Sequence, residues 1–185
     1  MINKQAQPAN WQKILSGLRS ISNLPQKVVE YVNNPSKFAF PQSAKDPNAV
    51  AYVTNEDYNN DGMVDSLKVH IVVPTFNSKF RTSDLASMAE DSPEFQSAIN
   101  GIAKVLVHEV MGHVQDFDPN NPEDPFPGNE AVAEAAERAF EAKFASDVSR
   151  ANKMMKKDIF KLANHLDSIG RHDIASKLDE VLKII

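Results

Sequence analysis

The stretch from Ser92 to about Gln115 leaves the chain little choice of local structure. Ser92, Pro93 and Glu94 make a helix start: a capping hydroxyl, a ring that presets φ at the first helical position, and an early acid. Phe95, Ile99, Ile102, Leu106, Val110 and Val114 then recur at helical spacing, so the helix has a long apolar face and must lie in a core. With 185 residues, 42% of them hydrophobic and 24% charged, the chain can bury such a helix in one compact domain, with room for a small appendage.

Other segments supply partners for that helix. Asn10 stands where it would cap a helix from Trp11 to about Ser22, and Pro25 fits the first turn of a second, ending near Asn33. Residues 34–48 carry Pro35, Pro41 and Pro47 and read as loop. Ala49 to Thr54 and Leu67 to Val73 are rich in Val and Ile and read as strands. Thr75 to Asp91 is ambiguous, with a short helix expected over Thr82–Glu90. Beyond the central helix, the four-proline loop DPNNPEDPFPG leads to Asn129, a cap for an Ala- and Glu-rich helix. A third helix is expected over Asn152–Ser168, ended by Gly170, and a last one capped by Asp173. Leu162, Leu166, Ile169, Ile174, Leu178, Val181 and Leu182 would form the apolar face these two share, closing the core in preference to serving as a docking module.

The expected fold class is therefore α+β, mainly helical, with a small antiparallel sheet, the central helix, a glutamate-bearing helix and a C-terminal helical hairpin. Residues 1–150 would form the main domain and 151–185 the hairpin packed on it. The helices in 1–34 read as core, a partner-binding arm or an inhibitory pro-segment.

Composition narrows the function. There is no cysteine, so a metal would sit on His, Asp, Glu or backbone oxygens. The formal charge of -5 argues against a nucleic-acid partner, which needs basic residues against phosphate. The N-terminal stretch has no apolar run of signal-peptide length and no segment is apolar enough to span a bilayer. A cytoplasmic location with no membrane partner is the default expectation.

The central helix carries HEVMGH, His108 to His113. Zinc hydrolases commonly bear HExxH on a helix, where histidines four apart share one ion and the glutamate activates water. Here the histidines are five apart, ~140° around a regular helix, and would not converge. A π-bulge can absorb one extra residue, and Gly112 would permit that distortion. Glu130 and Glu134 follow on the later helix, four apart and on one face.

HEVMGH resembles the HExxxH motif of the dipeptidyl peptidase III family of zinc peptidases, which are gluzincins. In these a glutamate on a later helix completes the site, and the segment NEAVAEAAE from Asn129 to Glu137 is similar to that pattern. The resemblance covers about residues 100 to 140, and the chain is far shorter than that family's fold. It implies zinc on His108, His113 and Glu130, with Glu134 supporting a histidine or serving as the alternative ligand. It also implies that Ala133 lets the two helices pack closely. Glu109 would be the general base acting on zinc-bound water, and the substrate a peptide or protein. Tyr58, His165 and His172 are candidate oxyanion donors, and the strand Leu67–Val73 a candidate edge for an extended substrate. Glu130, Glu134 and Glu137 read otherwise as the solvated face of a helix. Two other functions stay open: a zincin-like binding protein without catalysis, and a calcium-dependent interaction module in which HEVMGH is coincidental.

The last alternative rests on DYNNDGMVD, Asp57 to Asp65. It resembles a calcium loop, with Asp57, Asn59, Asp61, Met63 through its backbone, and Asp65 as ligands, and glycine at the turn. Lys68 stands where a bidentate glutamate would close an EF-hand, and the flanks read as strands. The competing reading is a hairpin loop whose Asn, Asp and Gly serve the backbone alone.

Overall fold

The computed structural model describes residues 7–56, 66–114 and 130–184. The chain is α+β and mainly helical. It divides into two compact units, Met1–Phe140 and Glu141–Ile185.

In the first unit, α1 (Trp11–Ser20) and α2 (Gln26–Val32) precede a sheet of β1 (Phe38–Ala39), β2 (Ala51–Glu56) and β3 (Ser66–Ile71). Then come α3 (Val73–Phe80), α4 (Pro93–His113) and the start of α5 (Glu130–Ser168). The strand order is β1-β3-β2, with β1 parallel and β2 antiparallel to β3. The sheet is thus mixed, not purely antiparallel, and β3 is its central strand. β1 was expected as loop: its two residues, Phe38 and Ala39, sit in a proline-rich stretch and pair with Val69 and His70.

α4 begins as its sequence dictates. The Ser92 hydroxyl accepts from the Phe95 N–H at 3.2 Å, and Ile99, Ile102, Leu106, Val107 and Val110 are fully buried. The N-terminal helices are core, not an arm: Trp11, Ile14, Leu15 and Leu18 are buried. Trp11 meets Phe38 and Phe40 edge-on at 5.4 and 5.3 Å, the arrangement aromatic quadrupoles favour. Asn10 does not cap α1 with its side chain; its amide donates instead to the Thr82 carbonyl at 2.7 Å. α3 takes up the first part of the ambiguous stretch, and where a helix was expected over Thr82–Glu90 the chain makes only a 3-10 turn, Asp84–Ala86. Val73 and Phe76 are buried, and Pro74 opens the helix in its first turn.

The second unit holds the remainder of α5 and α6 (His172–Ile184). The two helices expected before Gly170 are one, since α5 runs unbroken to Ser168. Gly170 has φ +79°, a left-handed conformation that glycine adopts without penalty. The Arg171 N–H reaches the Leu166 carbonyl at 2.8 Å and the Gly170 N–H reaches that of Asp167 at 3.1 Å, a Schellman closure. The buried residues among those described here are Ala163 and Ala175. The expected shared face is only partly covered: Leu162, Ile169 and Val181 are 49%, 58% and 41% exposed, while Leu166, Ile174, Leu178 and Leu182 are half-buried. Among the described residues, no helix is long and apolar enough to cross a membrane.

Candidate metal centre

α4 presents His108 and Glu109 on its last turns and ends at His113. α5 begins at Glu130 and brings that carboxylate to both rings. His108 Nε2 lies 3.4 Å from Glu130 Oε1, and His113 Nε2 lies 3.9 Å from Glu130 Oε2. One donor atom from each of the three residues lies within 4.8 Å of the others. Donors in a tetrahedral zinc site with ~2.0–2.1 Å bonds sit roughly 3.4 Å apart. The group is thus close to the required size, and the Glu130 side chain, 67% exposed, is free to complete the closure.

The histidines converge without the expected bulge. α4 is α-helical through His113, and the Val114 N–H still bonds the Val110 carbonyl at 3.2 Å. The rings lie 5.5 Å apart between centroids. The two Cα–Cβ bonds diverge around the helix, and the reach of the imidazoles offsets that divergence. His113 is also the helix's final residue, with Val114 already off the helical backbone at φ -120°.

Gly112 has a different task from bending the helix. A Cβ built on it would lie 2.5 Å from Ala133 Cα and 2.9 Å from Ala133 N, and closer still to Ala133 Cβ. Ala133 is fully buried. The two smallest side chains available thus let α4 and α5 touch backbone to backbone, which holds Glu130 over the histidines.

The carboxylate beside His108 is that of Glu137, not Glu134. His108 Nδ1 lies 3.2 Å from Glu137 Oε2, and Lys104 Nζ lies 2.7 Å from Glu137 Oε1. An ionised carboxylate only accepts, so Nδ1 donates to Glu137, and Nε2 is the ring atom that faces Glu130. Burial works to raise the Glu137 pKa. Hydrogen bonds from Lys104 and His108, and their charges, outweigh it, and the pKa lies below its ordinary value. Glu134 pairs with Arg138 at 3.2 Å on the exposed side of α5. Helix geometry explains the exchange. Ala133 marks the line of α5 that touches α4; Glu137 is ~40° from it and Glu134 ~100°. A sequence signal was present: Glu130 and Glu137 are seven apart, closer to one line than residues four apart.

Glu109 is buried, with 7% of its surface exposed. Its carboxyl pKa is raised from 4.5 to about 7, first by burial and then by Glu130, against the lowering effect of His108. It lines a cavity of about 330 Å³ together with His108, Lys104, Phe80, Ala51 and Glu137. β2 borders this cavity through Ala51 and pairs only with β3, so its outer edge is free of other strands among the described residues. β3, the strand expected to offer an edge, is paired on both sides.

The remaining candidates fall elsewhere. Asp57, Asn59, Asp61, Met63 and Asp65 of the calcium reading lie outside the described residues, as do Tyr58 and Asn129. Lys68 forms an ion pair with Glu56 on the neighbouring strand. His165 and His172 belong to the second unit, where His172 Nδ1 lies 2.8 Å from Asp167 Oδ1. No protein-family model, curated protein or solved structure matches the chain.

Proposed function

We propose that this chain is a zinc-dependent peptidase whose reaction centre is the junction of α4 and α5. The observation that carries the reading is the meeting of His108, His113 and Glu130 donor atoms within 4.8 Å. The buried Glu109 lines the cavity beside them. The donor chemistry fits zinc: two imidazoles and one carboxylate are a common hydrolase set, and three protein donors leave a position open. Zinc there would supply Lewis acidity, polarising a carbonyl and acidifying a water.

The chain's own residues do the rest. Glu109 takes the proton as water adds to the carbonyl carbon and returns it to the departing amine nitrogen. A carboxyl with a pKa of about 7 is suited to both transfers, because neither protonation state is far out of reach. Glu137 fixes the His108 tautomer and is itself held by Lys104. The open edge of β2 suits an extended peptide, whose backbone would pair with Ala51 and its neighbours above the cavity.

The test is Glu109→Gln in the full chain loaded with zinc. Peptide hydrolysis should fall by about 10²–10⁴-fold, the usual contribution of a general base, while bound zinc stays at the parent level. A Glu109→Gln variant that cleaves peptides at the parent rate would refute the reading.

A further inference from the structure

A second cavity adjoins the one at the metal centre. Lys79, Phe80 and Gly101 line both. The second, of about 570 Å³, continues past Arg81, Leu85 and Met88. On α4 the floor follows Glu94, Ser97, Gly101, Lys104 and His108, at alternating three- and four-residue steps and hence on one face. The fourteen residues from Glu94 to His108 rise roughly 21 Å at ~1.5 Å each. An extended peptide of about six residues spans that length.

The cations along this groove differ in their partners, and Glu94 adds a carboxylate at its far end. Lys104 is held by Glu137 at 2.7 Å, and Arg81 by Asp84 at 2.6 Å. Lys79 has no carboxylate partner among the described residues, and its ammonium lies 5.8 Å from the Phe80 ring centroid. It stands where the two cavities adjoin, one step from the reaction centre. In the free protein, water solvates it. A peptide lying in the groove strips part of that water, which is unfavourable unless the peptide brings a carboxylate of its own.

We infer that Lys79 selects the substrate: the groove takes peptides that carry an Asp or Glu side chain where they pass Lys79, close to the bond that is cut. This rests on the peptidase reading of the metal centre. The second cavity lies beyond Lys79, so the chain need not end there, and an internal acidic side chain fits better than a C-terminal carboxylate. The Phe80 ring packs against Gly101 where the two cavities adjoin: a Cβ on Gly101 would come within 3.1 Å of it. The rest of the protein opposes acidic ligands, with a formal charge of -5, so the preference must arise locally.

The test uses the zinc-loaded full chain and fluorogenic peptides that differ only in Glu, Gln or Lys at one position, scanned across the cut, each with a free or an amidated C-terminus. At one position Glu should exceed Gln in kcat/KM by about three- to tenfold, the range of a partly screened ion pair, and added salt should shrink the gap. The ratio should fall to about one in Lys79→Met, and Lys should become the favoured residue in Lys79→Glu. The same peptides are measured by fluorescence anisotropy on zinc-loaded Glu109→Gln, which reads binding apart from turnover. Equal Glu and Gln in both assays overturns the inference, as does a Glu preference that survives Lys79→Met. A preference that disappears on amidation overturns the internal side chain in favour of a C-terminal carboxylate. If no peptide is cleaved but Glu109→Gln still binds the Glu peptide better, the selective groove stands and the peptidase reading fails.

Discussion

A single methyl group at Gly112 should dismantle the metal centre. In an exposed helix, Gly→Ala stabilises by about 1 kcal/mol. Here the new Cβ would lie 2.5 Å from Ala133 Cα and 2.9 Å from Ala133 N. Ordinary carbon contacts are about 3.5–4.0 Å, so α4 and α5 must part by at least ~1 Å. The obstructing atoms include backbone, and no rotamer change relieves them. Overpacking of this kind costs about 1–3 kcal/mol; set against the helix gain, the net loss of stability is about 0–2 kcal/mol. The effect on zinc should be larger. Glu130 sits one turn before Ala133 and moves with it, and zinc sites tolerate only about ±0.2 Å in their bonds. Zinc affinity should drop by more than the roughly 10–100-fold lost when an outer partner is removed. A competition titration against a chromophoric chelator measures this, with thermal unfolding of the zinc-free protein alongside. Adding Ala133→Gly to Gly112→Ala should restore little of the affinity, because the approaches to the residue 133 Cα and N remain. Parent-like zinc binding in Gly112→Ala would refute the close-packing argument.

Three further outcomes follow from the same geometry. Glu137→Gln should weaken zinc by about 10–100-fold, whereas Glu134→Gln should leave zinc affinity near the parent value; equal losses in the same titration would contradict the assignment. The Glu109 carboxyl, raised from 4.5 to about 7 chiefly by burial, stays protonated in the zinc-free fold at pH values where the unfolded chain has lost that proton. Its contribution to stability is therefore complete below about pH 4.5 and is lost as pH rises through about 7, by at most about 3 kcal/mol. Denaturant unfolding across that window measures it; Glu109→Gln should remove this part of the slope, and an unchanged slope would count against a buried, raised carboxyl. Gly170→Ala should destabilise the second unit by about 1 kcal/mol, because a left-handed backbone strains any Cβ; local hydrogen exchange around Leu166 and Arg171 reads it, and unchanged protection would contradict the Schellman closure.

Much of this arrangement is visible in the sequence, and the parts that are not share a physical cause. α4 is legible because Ser92 and Pro93 mark its start and its apolar residues keep one period to the end. Glu130 is legible through the pattern it resembles. Glu137 is harder to see, because which face of α5 meets α4 depends on where Ala133 lies against Gly112, a tertiary fact. The convergence of His108 and His113 is hidden for a related reason: spacing gives direction around a helix but not the reach of a long side chain at its final turn. α3 is obscured because Val72 and Val73 continue the apolar run of β3 until Pro74 turns the chain into a helix. β1 is too short for any periodicity, and its parallel pairing with β3 is a long-range choice that makes the sheet mixed.

Zinc stoichiometry of this 185-residue chain tests the central claim most directly. After reconstitution near neutral pH and removal of loosely held metal, the wild type should retain one zinc per chain, and His113→Ala should retain far less while keeping its helical content. A wild-type protein that holds no zinc, or a His113→Ala variant that holds it equally well, would contradict the account.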